Sequence, residues 1–175
     1  NLALHVMTAD EVMKKWPGIK IPSNFVALYE IESGVMLTKP AIEGYLQEAF
    51  KYDVTQKFNS PVTQINVIDG KAIVTIANGE QFEADNCIVT VGAWAKQLLD
   101  ETGLNLPVQA TRKTFAWFEA VEELYCEGLY PGFTFQFGNE SYYGFPSIDG
   151  AGLKVGRHDG GQVIHPSDEK EPFGI

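Results

Sequence analysis

Apolar and polar positions along this chain change their period several times, and each change marks an element. Thr8-Ala9-Asp10-Glu11 has the spacing of a capping box, a threonine followed three residues later by a glutamate. A short helix is predicted behind it, and Pro17-Gly18 ends that helix. Residues 25–31 form an aromatic and aliphatic run, and Ser33-Gly34 turns the chain into Val35-Met36-Leu37. Both stretches read as short strands. Pro40 suits the first position of a helix. Behind it Ile42, Tyr45, Leu46, Ala49 and Phe50 recur at helical spacing, which predicts an amphipathic helix to about Tyr52.

The next forty residues switch to the period of a sheet. Residues 62–68, 72–77 and 81–91 are strand-like and are joined by turns at Asp69-Gly70 and Asn78-Gly79, a β-meander. Within the last of them, Cys87-Ile88-Val89-Thr90-Val91 is apolar enough to be expected buried on both faces. Gly92 ends that run, a helix from Ala93 to about Glu101 follows, and Gly103 fits the position just past its end. From Pro107 onward the pattern is antiparallel. Residues 108–121 form one long strand candidate, although 119–123 also fit a helical turn. Phe133, Phe135 and Phe137 alternate with Thr134 and Gln136, placing three aromatics on one face. Residues 142–145 and 153–158 supply two further strands across Gly150-Ala151-Gly152. The sum is an α+β fold of mostly antiparallel sheet with helices, plus a β-meander and a strand-Gly-helix junction.

Composition narrows the class. One hundred and seventy-five residues, 45% hydrophobic and 21% charged, describe a chain that is neither disordered nor membrane-spanning. Thirteen basic against twenty-three acidic residues give a net charge of -10, which argues against a nucleic-acid partner. Two cysteines, Cys87 and Cys126, cannot build a disulfide framework and point to a reducing compartment such as the cytoplasm. The chain opens Asn1-Leu2-Ala3-Leu4, without an initiator methionine or a basic leader, and is read as a piece of a longer protein.

The candidate chemistry sits in Leu153-Lys154-Val155-Gly156-Arg157-His158. On a strand, Lys154, Gly156 and His158 share one face, leaving Leu153 and Val155 to fill a core. Lys154 and His158 would lie roughly 13 Å apart at ~3.3 Å per residue, suited to opposite ends of one flat ligand. A glycine between them marks close approach of a ligand or another chain segment. On the hexapeptide alone, a solvated lysine is the simpler reading. The second candidate is Val89-Thr90-Val91-Gly92-Ala93-Trp94, a buried strand, a glycine and then a helix start that suits phosphate oxygens, although many such junctions are only tight turns. Trp117 is the tryptophan most suited to face a ligand. Metal-ligand spacing, a Gly-x-Ser-x-Gly elbow and a phosphate-binding Gly-rich loop are all missing.

Tyr142-Tyr143-Gly144-Phe145-Pro146-Ser147 followed by Gly152-Leu153-Lys154-Val155-Gly156-Arg157-His158 resembles the hallmark stretch of the monomeric sarcosine oxidase and N-methyltryptophan oxidase family. Trp16-Pro17-Gly18, Ser33-Gly34, Ala77-Asn78-Gly79, Gly92-Ala93-Trp94 and Pro107-Val108-Gln109 fall in the family's order. Arg112-Lys113-Thr114-Phe115-Ala116-Trp117 and Gly160-Gly161-Gln162-Val163-Ile164-His165 are more similar to its N-methyltryptophan branch.

This resemblance implies an FAD enzyme that oxidises the N-methyl C–N bond of secondary amino acids, with dioxygen as final acceptor. It implies that Lys154 activates oxygen beside the flavin and that Tyr143 and His158 line the substrate side, giving Lys154, His158 and Tyr143 as catalytic candidates. Trp117 joins the substrate lining. Val62, Val91, Gly92 and Trp94 become FAD contacts. Residues 1–60 and 107–175 become two parts of a substrate domain, and 61–106 part of an FAD-binding domain. The family's Gly-x-Gly-x-x-Gly fingerprint is not in this chain, and neither Cys87 nor Cys126 matches its flavin-linking cysteine. The chain is therefore expected to be the inactive middle of an oxidase whose remaining parts belong to the same polypeptide. Two alternatives stay open: a stand-alone β-rich small-ligand module lined by Trp117, Tyr143 and His158, and an FAD-dependent dehydrogenase relative.

Overall fold

A computed structural model describes residues 3–168. In chain order it contains β1 (Leu4–Thr8), α1 (Ala9–Lys15), β2 (Val26–Glu30), α2 (Thr38–Lys51), β3 (Val62–Ile68), β4 (Lys71–Ile76) and β5 (Gln81–Ala84). A 3-10 turn (Gly92–Trp94) leads into α3 (Ala95–Asp100), followed by β6 (Thr111–Arg112), β7 (Phe115–Phe118) and α4 (Glu122–Tyr125). The last strands are β8 (Phe133–Phe137), β9 (Glu140–Phe145), β10 (Leu153–Arg157) and β11 (Gln162–Val163). Every pairing between these strands is antiparallel, and the helices are few, so the mixed antiparallel α+β expectation holds. The chain divides into two compact units, residues 3–42 with 113–161 and residues 43–112 with 162–168.

The first unit is built on a four-stranded sheet in the order β7-β10-β9-β8 and a two-stranded sheet of β1 and β2. Thr8 caps α1 as its sequence demands: the Thr8 N–H donates to Glu11 Oε2 (2.7 Å) and the Glu11 N–H donates back to Thr8 Oγ1 (3.4 Å). These bonds hold the Glu11 carboxyl below its ordinary pKa. Helix α1 turns Val12 inward, where it joins Trp16, Ile19 and Tyr130 in a buried cluster. Tyr29 of β2 and Phe133, Phe135 and Leu153 of the larger sheet pack against that cluster. The alternation of β8 is thereby explained, because Phe133 and Phe135 face the core with ring centroids 4.8 Å apart.

The second unit carries the meander β3-β4-β5 and the β6-β11 pair. Asp69 and Gly70 both take positive φ (50° and 77°) in the two-residue turn between β3 and β4, the geometry that an Asp-Gly hairpin favours. Helix α3 packs on β3, and Ile65, Ile76 and Leu98 are buried. Gly103 closes α3 as expected: its N–H donates to Asp100 O (3.1 Å) and the Leu104 N–H to Leu99 O (3.2 Å).

Several expectations are corrected. The third meander strand stops at Ala84 rather than Val91. Residues 87–91 are not a strand, and Ile88 is 88% exposed, because no described segment offers their backbone a ladder. The same lack of a partner leaves 35–37 outside any strand, leading into α2. That helix begins at Thr38, so Pro40 is its third residue, still within the first turn where its missing N–H costs nothing. The long strand over 108–121 is two short strands, β6 and β7, and the helical turn falls on Glu122–Tyr125. Strands β1 and β11 were not anticipated.

Candidate functional site

Strand β10 has one face on the core and one face away from it. Directly opposed residues of an antiparallel pair share a face. Lys154 opposes Trp117 on β7 and Phe145 on β9, while Gly156 opposes Phe115 and Tyr143. Six residues that the sequence scatters over forty positions therefore form one surface, with Leu153 turned to the core on the other side.

Lys154 dominates this surface. Its Nζ lies 4.1 Å from the centroid of Phe115, 5.3 Å from Trp117 and 5.7 Å from Phe145. Phe115 and Trp117 meet edge to face at 5.0 Å, which keeps both rings upright beside the ammonium. The lysine is half-buried, and among the described residues no carboxylate lies within salt-bridge distance of it. It is held by aromatic faces, with no carboxylate partner among the described residues.

Gly156 is required by its neighbour. A Cβ at that position would come within 2.8 Å of the Tyr143 ring, so the ring lies over the glycine. Tyr143 in turn meets His158 edge to face at 6.2 Å. His158 sits one residue beyond the end of β10, and its backbone is pinned on both sides. Its N–H donates to Ser141 O (2.7 Å), and Lys113 Nζ donates to its carbonyl. The neighbouring Asp159 accepts from the Ser141 N–H (2.5 Å) and from Arg157 Nη2 (2.7 Å). Those bonds, led by the Arg157 guanidinium, lower the Asp159 carboxyl to about 2.

Lys154, Tyr143, His158 and Trp117 thus lie together on one face of the first unit. Val62, Val91, Gly92 and Trp94 belong to the second. Val62 begins β3 opposite Ile76, beside a register shift. Gly92 and Trp94 lie on the exposed 3-10 turn before α3 and the half-buried Val91 precedes it, with Gly92 at φ +57° and the Trp94 N–H already engaged by Val91 O (3.2 Å). With that donor used and only six residues in α3, the helix-terminus argument for phosphate is weak there. Phe115 and Phe145 were not singled out from the sequence, though their two-residue spacing from Trp117 and Tyr143 carries the signal. An open aromatic face with an unpaired ammonium suits a flat, electron-accepting ring system. Among the described residues no cluster of histidine, cysteine or carboxylate could hold a metal ion, and no helix is long and apolar enough to cross a membrane.

The model of a family described as FAD dependent oxidoreductase matches residues 1–173. An N-methyl-L-tryptophan oxidase from Escherichia coli (strain SMS-3-5 / SECEC) is 40% identical over 174 residues, 99% of this chain and 45% of that protein. The enzyme of the same name from strain K12 / DH10B matches over the same extent at the same identity. The chain therefore spans less than half the length of these relatives. Among solved structures, the open form of NikD, an unusual amino acid oxidase essential for nikkomycin biosynthesis, superposes with a TM-score of 0.67. It is 13% identical, and the match covers 97% of this chain and 44% of that one.

Proposed function

Because this chain belongs to the FAD-dependent oxidoreductase family, we propose that it is the central part of an oxidase that demethylates N-methyl amino acids. The reaction consumes an N-methyl amino acid, dioxygen and water, and yields the primary amino acid, formaldehyde and hydrogen peroxide. The observation that carries this reading is the Lys154 ammonium, held at 4.1 to 5.7 Å from three aromatic centroids with no carboxylate partner among the described residues. The 40% identity to N-methyl-L-tryptophan oxidases makes an N-methyl amino acid with an aromatic side chain the favoured substrate, with sarcosine the other candidate.

When bound, FAD would supply the two-electron acceptor for oxidation of the C–N bond. Lys154 is the chain's own contribution to the oxygen half of the reaction. Its fixed positive charge stabilises the negative charge that builds up on dioxygen, and its aromatic surroundings weaken screening by water. A unit charge about 4 Å away contributes on the order of 4 kcal/mol at an effective dielectric near 20. Tyr143 and His158 bound the substrate side, and the bonds from Ser141 and Lys113 to the His158 backbone keep that side fixed. Trp117 contributes a wall. We place Val62, Val91, Gly92 and Trp94 against the FAD, and any covalent link to it outside these residues.

Residues 61–106 are assigned to the FAD-binding part and 1–60 with 107–175 to the substrate part. Support for a discontinuous layout comes from the two compact units, each built from separate stretches of chain. The unpaired Cys87 and Cys126 favour the cytoplasm. Purified full-length protein should be yellow and release peroxide and formaldehyde in equal amounts from N-methyl-L-tryptophan. A full-length protein that binds no flavin, or that consumes this substrate and sarcosine without peroxide, removes the proposal.

A further inference from the structure

Ser147 is the buried polar side chain among the described residues, 1% exposed, and no part of the site description uses it. Its hydroxyl donates to Glu122 Oε1 (2.6 Å) on α4 and accepts from the Gly152 N–H (3.0 Å) at the foot of β10. Its backbone is equally committed: the Ser147 N–H donates to Tyr125 O (2.8 Å), and the Glu127 N–H donates to Ser147 O (2.9 Å). One side chain therefore ties the end of β9, the helical turn and the start of the lysine-bearing strand into a single knot.

Lys154 lies two residues beyond Gly152. Gly152 takes φ +89°, and a Cβ there would lie 2.4 Å from Phe118 O, so β10 begins pressed against the end of β7. From that fixed point Leu153 opposes Phe118 and Lys154 opposes Trp117. Each strand residue advances about 3.3 Å, and the ammonium is centred only where its register brings it over Phe115. The bond from Gly152 to the Ser147 hydroxyl is the tether at the open end of that register.

We propose that Ser147, oriented by Glu122, is a positioning residue that sets the height of Lys154 on its aromatic platform. The inference rests on the role given to Lys154 above, but its position is measured separately from that role. A displacement of 1 Å at a reacting centre can cost about a hundredfold in rate, so a hydroxyl far from the substrate can govern the oxygen step.

The test uses the full-length protein with its lysines reductively methylated with 13C-formaldehyde. The dimethyl-Lys154 signal is assigned by its loss in Lys154→Met, and ring currents place it upfield of the surface lysines. Ser147→Ala should move that signal to the surface-lysine position and slow reoxidation of the reduced flavin about tenfold, with reduction by substrate changed less than about twofold. Ser147→Thr, which keeps the hydroxyl, should retain both properties. If Ser147→Ala does not fold, Glu122→Ala removes only the acceptor that orients the hydroxyl and should shift the signal in the same direction. A signal unmoved in the folded variants, whatever their loss of stability, overturns the proposal. If Lys154→Met reoxidises normally, the role of Lys154 falls, while the signal still decides whether Ser147 holds it in place.

Discussion

Tyr130 shows how a single buried group links packing to pH. Its phenol is covered by the core of the first unit and stacks near Tyr125 and Phe133, with centroids at 5.0 and 5.9 Å. Burial, reinforced by Tyr125, raises its pKa to about 12. The folded state therefore keeps the Tyr130 proton after the unfolded chain, near its ordinary value of about 10, has lost it. Stability from this burial is complete below pH about 10 and disappears as pH rises towards 12. The informative comparison is with Tyr130→Phe, which removes the phenol alone. Urea unfolding across this range should show a shallower alkaline loss for the variant, and equal slopes would mean that the phenol is not held neutral by the core. Asp159 has the opposite sign. Its lowered carboxyl contributes stability at neutral pH that is lost only as pH falls towards about 2.

At the scale of elements, the core depends on few large side chains. Trp16 follows α1, meets Tyr29 edge to face at 5.0 Å and is covered by the same cluster that holds Leu153. Trp16→Ala should cost about 3–5 kcal/mol in chemical denaturation of the full-length protein, as for other buried aromatics. A loss below about 1 kcal/mol would place the core elsewhere. Local signals were legible wherever the element closes on itself. The capping box at Thr8, the Asp69-Gly70 turn and the alternation of Phe133, Phe135 and Phe137 each involve only neighbours in sequence. Residues 87–91 differ from expectation because apolarity announces that a segment is to be covered but not by what. Among the described residues no strand pairs with them; Cys87, Ile88 and Thr90 are exposed and Val89 and Val91 half-buried. The 108–121 segment failed for a related reason: β-propensity runs through it, but β7 pairs with β10 and β6 with β11, so the pairing changes partners between Arg112 and Phe115.

At the scale of the whole molecule, the site was half legible. The strand alternation of residues 153–158 predicted that Lys154, Gly156 and His158 share a face, and the resemblance directed attention to Tyr143. What the sequence could not reveal was the partner register, which brings Phe115, Trp117 and Phe145 around the ammonium and turns an ordinary surface lysine into an uncompensated charge. Val62 and the Val91 to Trp94 turn belong to a separate compact unit. Their placement against FAD therefore rests on the family, not on a geometry joining them to Lys154. The chain spans 45% of its E. coli relatives, so the oxygen role of Lys154 is to be tested in the full-length protein. The decisive measurement is a rapid-mixing comparison of wild type with Lys154→Met, following flavin absorbance in two separate halves: anaerobic reduction by N-methyl-L-tryptophan, then reoxidation by dissolved oxygen. Lys154→Met should lower the reoxidation rate by a factor of about 100 or more, with reduction changed far less. Equal reoxidation in the two proteins would show that the ammonium on its aromatic platform does not serve the oxygen reaction.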